Sequence, residues 1–182
     1  MSLEGLVRLL SVALDAAGIP FMLTGSVAAG YRGASRATMD VDAVIDPTAS
    51  QLQSFVSRVL DVGLYVSEVA AHEALATRGM FNVIDPESGW TADLIVRKHR
   101  FLSEAEFTRR ECVDFLGNTL AIATLEDIVL SKLEWATLGA SSRHVEDVRA
   151  LLRINAGAVD LDHIERWVDT LHVRRTWDAV RT

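Results

Sequence analysis

Leu23-Thr24-Gly25-Ser26, followed by Asp40-Val41-Asp42-Ala43-Val44-Ile45, is the stretch from which this chain can be read. Asp40 and Asp42 are two apart and lead into an apolar β-type run, so both carboxylates fall on one face of a strand. Val41, Ala43, Val44 and Ile45 predict that this strand is buried. Two buried like charges are costly unless a cation or a proton neutralises them. Oxygen-only donors favour Mg2+, with Mn2+ as the other suitable ion. The alternative for any isolated Asp-x-Asp is a pair of exposed acids at a strand end. Upstream, Gly25-Ser26 predicts a tight turn into a short helix, and helix N-terminal amides can hold phosphate. Ser as a simple N-cap is the competing reading of that pair. Metal plus phosphate points to nucleotide chemistry.

A third acid, Asp93, lies in Thr91-Ala92-Asp93-Leu94-Ile95-Val96. It is either an edge-strand acid facing water or a third carboxylate beside the first two. Three acids on neighbouring strands suit two-metal transfer chemistry, with ions about 3.5–4 Å apart, or one acid acting as general base. Asp46, before Pro47, reads as a turn residue. Neither a P-loop (GxxxxGK[ST]) nor a dinucleotide fingerprint (GxGxxG) is present. His72, His144, His163 and His172 show no HxxxH spacing, and no Ser/His/Asp order stands out.

Working outward, the spacing predicts helices over 3–17, 50–60 and 69–78, and a small one over 27–31. Strands are expected over 21–23, 39–45, 80–84 and 90–96, the last two as a hairpin around Asp85-Pro86. A second short hairpin is expected over 111–115 and 119–122, around Gly117-Asn118. From Thr124 onward the pattern is helical: 124–138, 143–153, 161–171 and 173–180. The expected class is α+β, with an α/β core over 1–123 and a helical region over 124–182. In the helical part, Lys132 is either an exposed helix lysine or a phosphate contact pointing back at the acids. Asp147 is either a surface acid or the partner of Lys132.

The chain has 182 residues, 49% of them hydrophobic and 24% charged, enough for one domain with a sizeable core. A single cysteine, Cys112, excludes an intrachain disulfide and a cysteine-based zinc cluster, and suits the cytoplasm. The apolar runs are too short to predict a membrane span, and no leader peptide is expected. The net charge of −7 argues against broad nucleic-acid binding. A local patch, Arg97-Lys98-His99-Arg100 or Arg32 with Arg36, could still dock an RNA end, or be a solvated surface run.

Gly25-Ser26, Asp40-Val41-Asp42 and the later Asp93 together resemble the signatures of the DNA polymerase β-like nucleotidyltransferase superfamily. The segment Leu125-Glu126-Asp127-Ile128-Val129-Leu130-Ser131-Lys132-Leu133-Glu134-Trp135, with Asp147 downstream, is similar to the minimal AbiEii-like nucleotidyltransferases. That group includes toxins of toxin–antitoxin systems and is related to lincosamide nucleotidyltransferases. The resemblance covers about residues 18–153. At Val145-Glu146 the chain departs from the basic, arginine-containing motif that such toxins often carry.

The resemblance implies a small mixed sheet flanked by helices, followed by a C-terminal helical bundle. It also implies Mg2+ and transfer of a nucleoside monophosphate from a nucleoside triphosphate to an acceptor hydroxyl on a small molecule, a protein or an RNA end. Asp40, Asp42 and Asp93 would then bind metal and act in catalysis. Gly25 and Ser26 would hold the triphosphate, with Lys132 and Asp147 completing the nucleotide pocket. A catalytically weak binding or regulatory protein of the same fold, paired with an antitoxin, is the alternative.

Overall fold

A computed structural model describes residues 1–34, 38–115, 117–139 and 142–181. The N-terminal part contains α1 (Leu3–Ala16), β1 (Phe21–Thr24), α2 (Gly25–Tyr31), β2 (Asp40–Ile45), α3 (Ala49–Asp61) and β3 (Tyr65–Val66). It continues with α4 (Glu68–Thr77), β4 (Met80–Ile84), β5 (Thr91–Val96), α5 (Phe101–Arg109), β6 (Glu111–Phe115) and β7 (Asn118–Ile122). Four helices follow: α6 (Leu125–Gly139), α7 (Ser142–Ile154), α8 (Leu161–Val168) and α9 (Arg174–Val180).

The strands form one mixed sheet in the order β3-β4-β5-β2-β1-β7-β6. β2 runs parallel to β5 and β1 parallel to β7, while β1–β2, β4–β5, β3–β4 and β6–β7 are antiparallel. This is the expected α+β class. Local signals place the elements. Ser2 caps α1 by accepting from the Gly5 amide at 3.1 Å, and Gly18, at φ +68°, turns the chain away from the helix end. Thr48 and Gln51 form a reciprocal capping box at the start of α3.

β1 is buried along its whole length, as a central strand covered on both faces must be. In β4 and β5 burial alternates. Phe81, Val83, Ala92, Leu94 and Val96 face the core, whereas Asn82, Asp93 and Ile95 share the other, more open face. That open face lies beneath α6. Ile128, Val129, Leu130, Lys132 and Leu133 of α6 are all buried, because α2, α7, α8 and α9 pack around this helix. Among the described residues, no helix is long and apolar enough to cross a membrane.

Two elements are not legible in the sequence pattern. α5 shows no helical period because only Leu102, Ser103 and Phe107 in it are buried. β3 is a two-residue edge strand paired to β4. The first-turn acids of α6 also do more than complement a helix dipole. Thr124 Oγ1 accepts from the Asp127 amide at 3.3 Å and donates to Asp127 Oδ2 at 2.6 Å. Asp127 also meets His163 Nε2 at 3.2 Å and Arg109 Nε at 3.5 Å. Glu126 accepts from the Asp160 amide at 2.9 Å and from Arg109 at 3.3 Å. These two acids bind α5, α6 and α8 into one unit.

Removing one member of such a buried network leaves its partners uncompensated, at a cost of about 3–5 kcal/mol. Asp127→Ala is therefore expected to lower the unfolding free energy from urea titration by that amount, and the midpoint with it, while an exposed acid such as Asp162→Ala changes it by less than about 0.5 kcal/mol. Equal midpoints for the two variants would show that the network holds nothing.

Candidate active site

The site begins where β1 turns directly into α2. Gly25 sits at φ +62°, and a Cβ on it would lie 1.8 Å from Asp42 Oδ2 and 2.4 Å from Asp42 Cγ. Glycine is required here twice over, by the left-handed backbone and by the carboxylate pressed against it. Ser26 is not the N-cap: it is the second residue of α2, buried, and its amide donates to Asp42 Oδ2 at 3.4 Å, a long bond. The Gly-Ser element and the acidic pair therefore form one local structure.

Register brings in the third acid. Thr24 pairs with Asp42, Asp42 with Asp93, and Asp93 with Asn82, so four strands contribute one row. Asp40 lies two residues away on the same face of β2. Asn82 donates to Asp93 Oδ1 at 2.5 Å, and Thr38 donates to Asp40. The Asp42 carboxyl is pushed up from 3.8 to about 6, mainly by burial and then by the charges of Asp40 and Asp93. The Ser26 amide and the Lys132 ammonium offset part of this.

Lys132 approaches from α6. It is 3% exposed, not a surface lysine, and its Nζ donates to Asp147 Oδ2 at 2.6 Å. Thr24, Gly25, Ser26, Asp40, Asp42, Asp93 and Lys132 line a single cavity of about 350 Å³. Asp147 is not on its wall; it stands behind Lys132 as the ion-pair partner.

Sequence reasoning missed several residues around this cavity. Met80, Ile95, Ser131, Trp135, Arg143 and His144 complete its lining. An adjoining hollow of about 100 Å³ shares Thr24, Ile95, Ser131 and Trp135 with it and reaches Ser103 and Glu106. Burial, followed by the charge of Asp127, pushes the Glu106 carboxyl up to about 7. Glu106 was hidden because the helix carrying it was. A larger groove, about 580 Å³, runs between α1 and α3 along Leu9, Val12 and Val62, away from the acids.

The two arginines of the basic run are engaged in internal pairs. Arg97 binds Asp46 at 2.8 Å, with Arg78 on the other oxygen at 3.3 Å, so Asp46 anchors two arginines rather than merely ending a turn. Arg100 grips Glu134 through two bonds of 2.6 and 2.7 Å, and Arg32 meets Glu111 at 2.7 Å. Arg36 lies outside the described residues.

Among the described residues, no group of three His, Cys, Asp or Glu side chains stands ready to enclose a metal ion. The donor set nonetheless fits Mg2+, which characteristically takes one or two carboxylates and completes its shell with water and substrate phosphate. A row of acids with one raised well above its ordinary value is an environment that a cation relieves.

The chain aligns with a crystal structure of ANT(2'')-Ia in complex with adenylyl-2''-tobramycin over 94% of its length and 98% of that chain, with a TM-score of 0.62. The chain shares the fold of that protein. Identity in that pair is 15%, so the likeness concerns the fold alone. An antigenic nucleotidyltransferase-like protein from Paracoccidioides brasiliensis aligns over 92% of this chain and 87% of its own, at 14% identity and a TM-score of 0.54. JHP933 from Helicobacter pylori aligns over 92% and 72%, at 18% and 0.55. No protein-family model matches the chain, and no curated protein matches it in sequence.

The raised Asp42 carboxyl has a consequence for stability. Between its ordinary value and about 6, the folded protein holds a proton that the unfolded chain releases. Stability from this group therefore falls as pH rises through that window, and the full penalty is present above it. In metal-free buffer at pH 8, Asp42→Asn is expected to be more stable than wild type by about 2 kcal/mol, with the difference gone by about pH 4. Denaturant titrations at both pH values check this; a variant less stable at pH 8 contradicts it.

Proposed function

We propose that the protein is a Mg2+-dependent nucleotidyltransferase that moves a nucleoside monophosphate from a nucleoside triphosphate to the hydroxyl of a small molecule. The observation that carries this reading is the shared row of Asp42 and Asp93, with Asp40 beside it, Gly25 too close for a side chain, and Lys132 on the same cavity. Asp40 and Asp42 are the residues that would hold the ion, which leaves Asp93 beside them for the attacking hydroxyl. When bound, Mg2+ (or Mn2+) supplies charge neutralisation of the triphosphate and activation of the acceptor oxygen.

The chain's own groups do the rest. Gly25 and Ser26 receive the triphosphate against bare backbone, and buried Lys132 balances its charge. Asp147 holds the Lys132 ammonium in place by their 2.6 Å bond. Asp93, which accepts a hydrogen bond from Asn82, would take the proton from the attacking hydroxyl. The acceptor oxygen forms a bond to the α-phosphorus as the bond from that phosphorus to the pyrophosphate oxygen breaks, and pyrophosphate leaves.

Three points support a small acceptor over an RNA end. The net charge is −7. The arginines of the basic run are engaged in internal ion pairs. A protein of the same fold is known in complex with an adenylylated small molecule. The exposed, free Cys112 suits a reducing cytoplasm.

The test is incubation of α-labelled triphosphates with Mg2+ and fractionated cell lysate. Wild type is expected to label a small-molecule fraction, and Asp93→Asn to lower the rate by about 10²–10⁴-fold. Gly25→Ala is expected to abolish labelling by displacing Asp42. Tight Mg2+-dependent triphosphate binding without transfer to any fraction would instead mark a binding or regulatory protein. Absence of both would overturn the nucleotide reading.

A further inference from the structure

We propose that Trp135 is the platform on which the nucleobase of the donor triphosphate stacks, with the apolar row Val44–Ile95–Met80 as the facing floor; this rests on the nucleotidyltransferase reading. The chain has four tryptophans. Trp177 is inside the core, and Trp90 and Trp167 pack against it. Trp135 is 50% exposed, a large apolar surface left in water at the mouth of the acidic cavity. An exposed tryptophan in a concave site calls for a ligand in a way that scattered surface aliphatics do not.

Its position is set by α6. Ser131, Lys132 and Trp135 stand at helical spacing, so the ring and the phosphate-facing ammonium share one face of the helix. Beneath them, Val44 pairs with Ile95 and Ile95 with Met80, on the face that carries Asp42, Asp93 and Asn82. This apolar row lies two residues along the strands from the acid row, roughly 7 Å away. Met80 is itself 48% exposed. The cavity, together with the adjoining hollow that Val44 lines, therefore has a charged end that suits phosphate and, one step along the sheet, an apolar end with an aromatic ring above an aliphatic floor. A nucleoside triphosphate has the same division, with its planar base a short distance from its α-phosphate.

The neighbouring residue fixes the platform. Glu134 is held bidentately by Arg100, which anchors this turn of α6 to the start of α5. Stacking of this kind is tolerant of base identity and favours the larger ring system, so purine nucleotides are expected to gain more than pyrimidine ones.

The experiment compares Mg2+-dependent binding of ATP, UTP and inorganic tripolyphosphate by calorimetry in wild type, Trp135→Ala and Trp135→Phe. Trp135→Ala is expected to weaken ATP about 5- to 150-fold and UTP less, and to leave tripolyphosphate unchanged. Trp135→Phe is expected to retain most of the ATP affinity. An unchanged ATP affinity in Trp135→Ala, or an equal loss for ATP and tripolyphosphate, overturns the stacking role. Wild type that binds neither ATP nor tripolyphosphate overturns the nucleotide reading itself, which separates the two failures.

Discussion

Repulsion among three carboxylates on one patch of sheet is the interaction on which the rest of this structure depends. β2 and β5 run parallel in a register that sets Asp42 directly beside Asp93, and Asp40 adds a third charge on the same face. The strands could relieve this by turning the acids toward water, but Val41, Ala43 and Ile45 alternate with them into the core. The hydrophobic register therefore holds the charges together. What surrounds them is a set of partial remedies: the Ser26 amide, the Lys132 ammonium, the Asn82 amide and the Thr38 hydroxyl. None of these neutralises three charges, and Asp42 retains a carboxyl titrating near 6. A site with this residual cost favours a cation and the anion that accompanies it.

The same constraint explains why the helical part is joined to the sheet. Lys132 brings a positive charge to Asp42 from outside the sheet, and burying a lysine is tolerable only with a partner, here Asp147 of α7. α6 must then be held in position over the acids. Arg109 with Glu126, Asp127 with His163, and Arg100 with Glu134 do this from α5 and α8. Polar networks that lie away from the cavity thus determine where Lys132 and Trp135 stand inside it.

Much of this was legible in the residues themselves. The alternation through Asp40-Val41-Asp42, the glycine before Ser26 and the acid in Thr91–Val96 are local patterns, and each lies on the element that its pattern implies. Strand order was not legible, because the parallel pairing of β2 with β5 is a relation between distant segments. Lys132 could not be told from a surface lysine, since α6 is covered on several sides and has no single polar face. Arg97 and Arg100 looked like a basic strip because their partners, Asp46 and Glu134, are 51 and 34 residues away in sequence. The cavity wall made by Met80, Trp135 and His144 was missed for the same reason: these residues meet only when α6 and α7 close over the sheet.

The most direct test of the cation-site account is the titration of the Asp42 carboxyl carbon by NMR, assigned by comparison with Asp42→Asn. Without metal it should titrate near 6. With Mg2+ and a nucleoside triphosphate it should fall below its ordinary value, because the cation stabilises the charged form. An Asp42 that titrates like an isolated aspartate in both conditions would contradict the account.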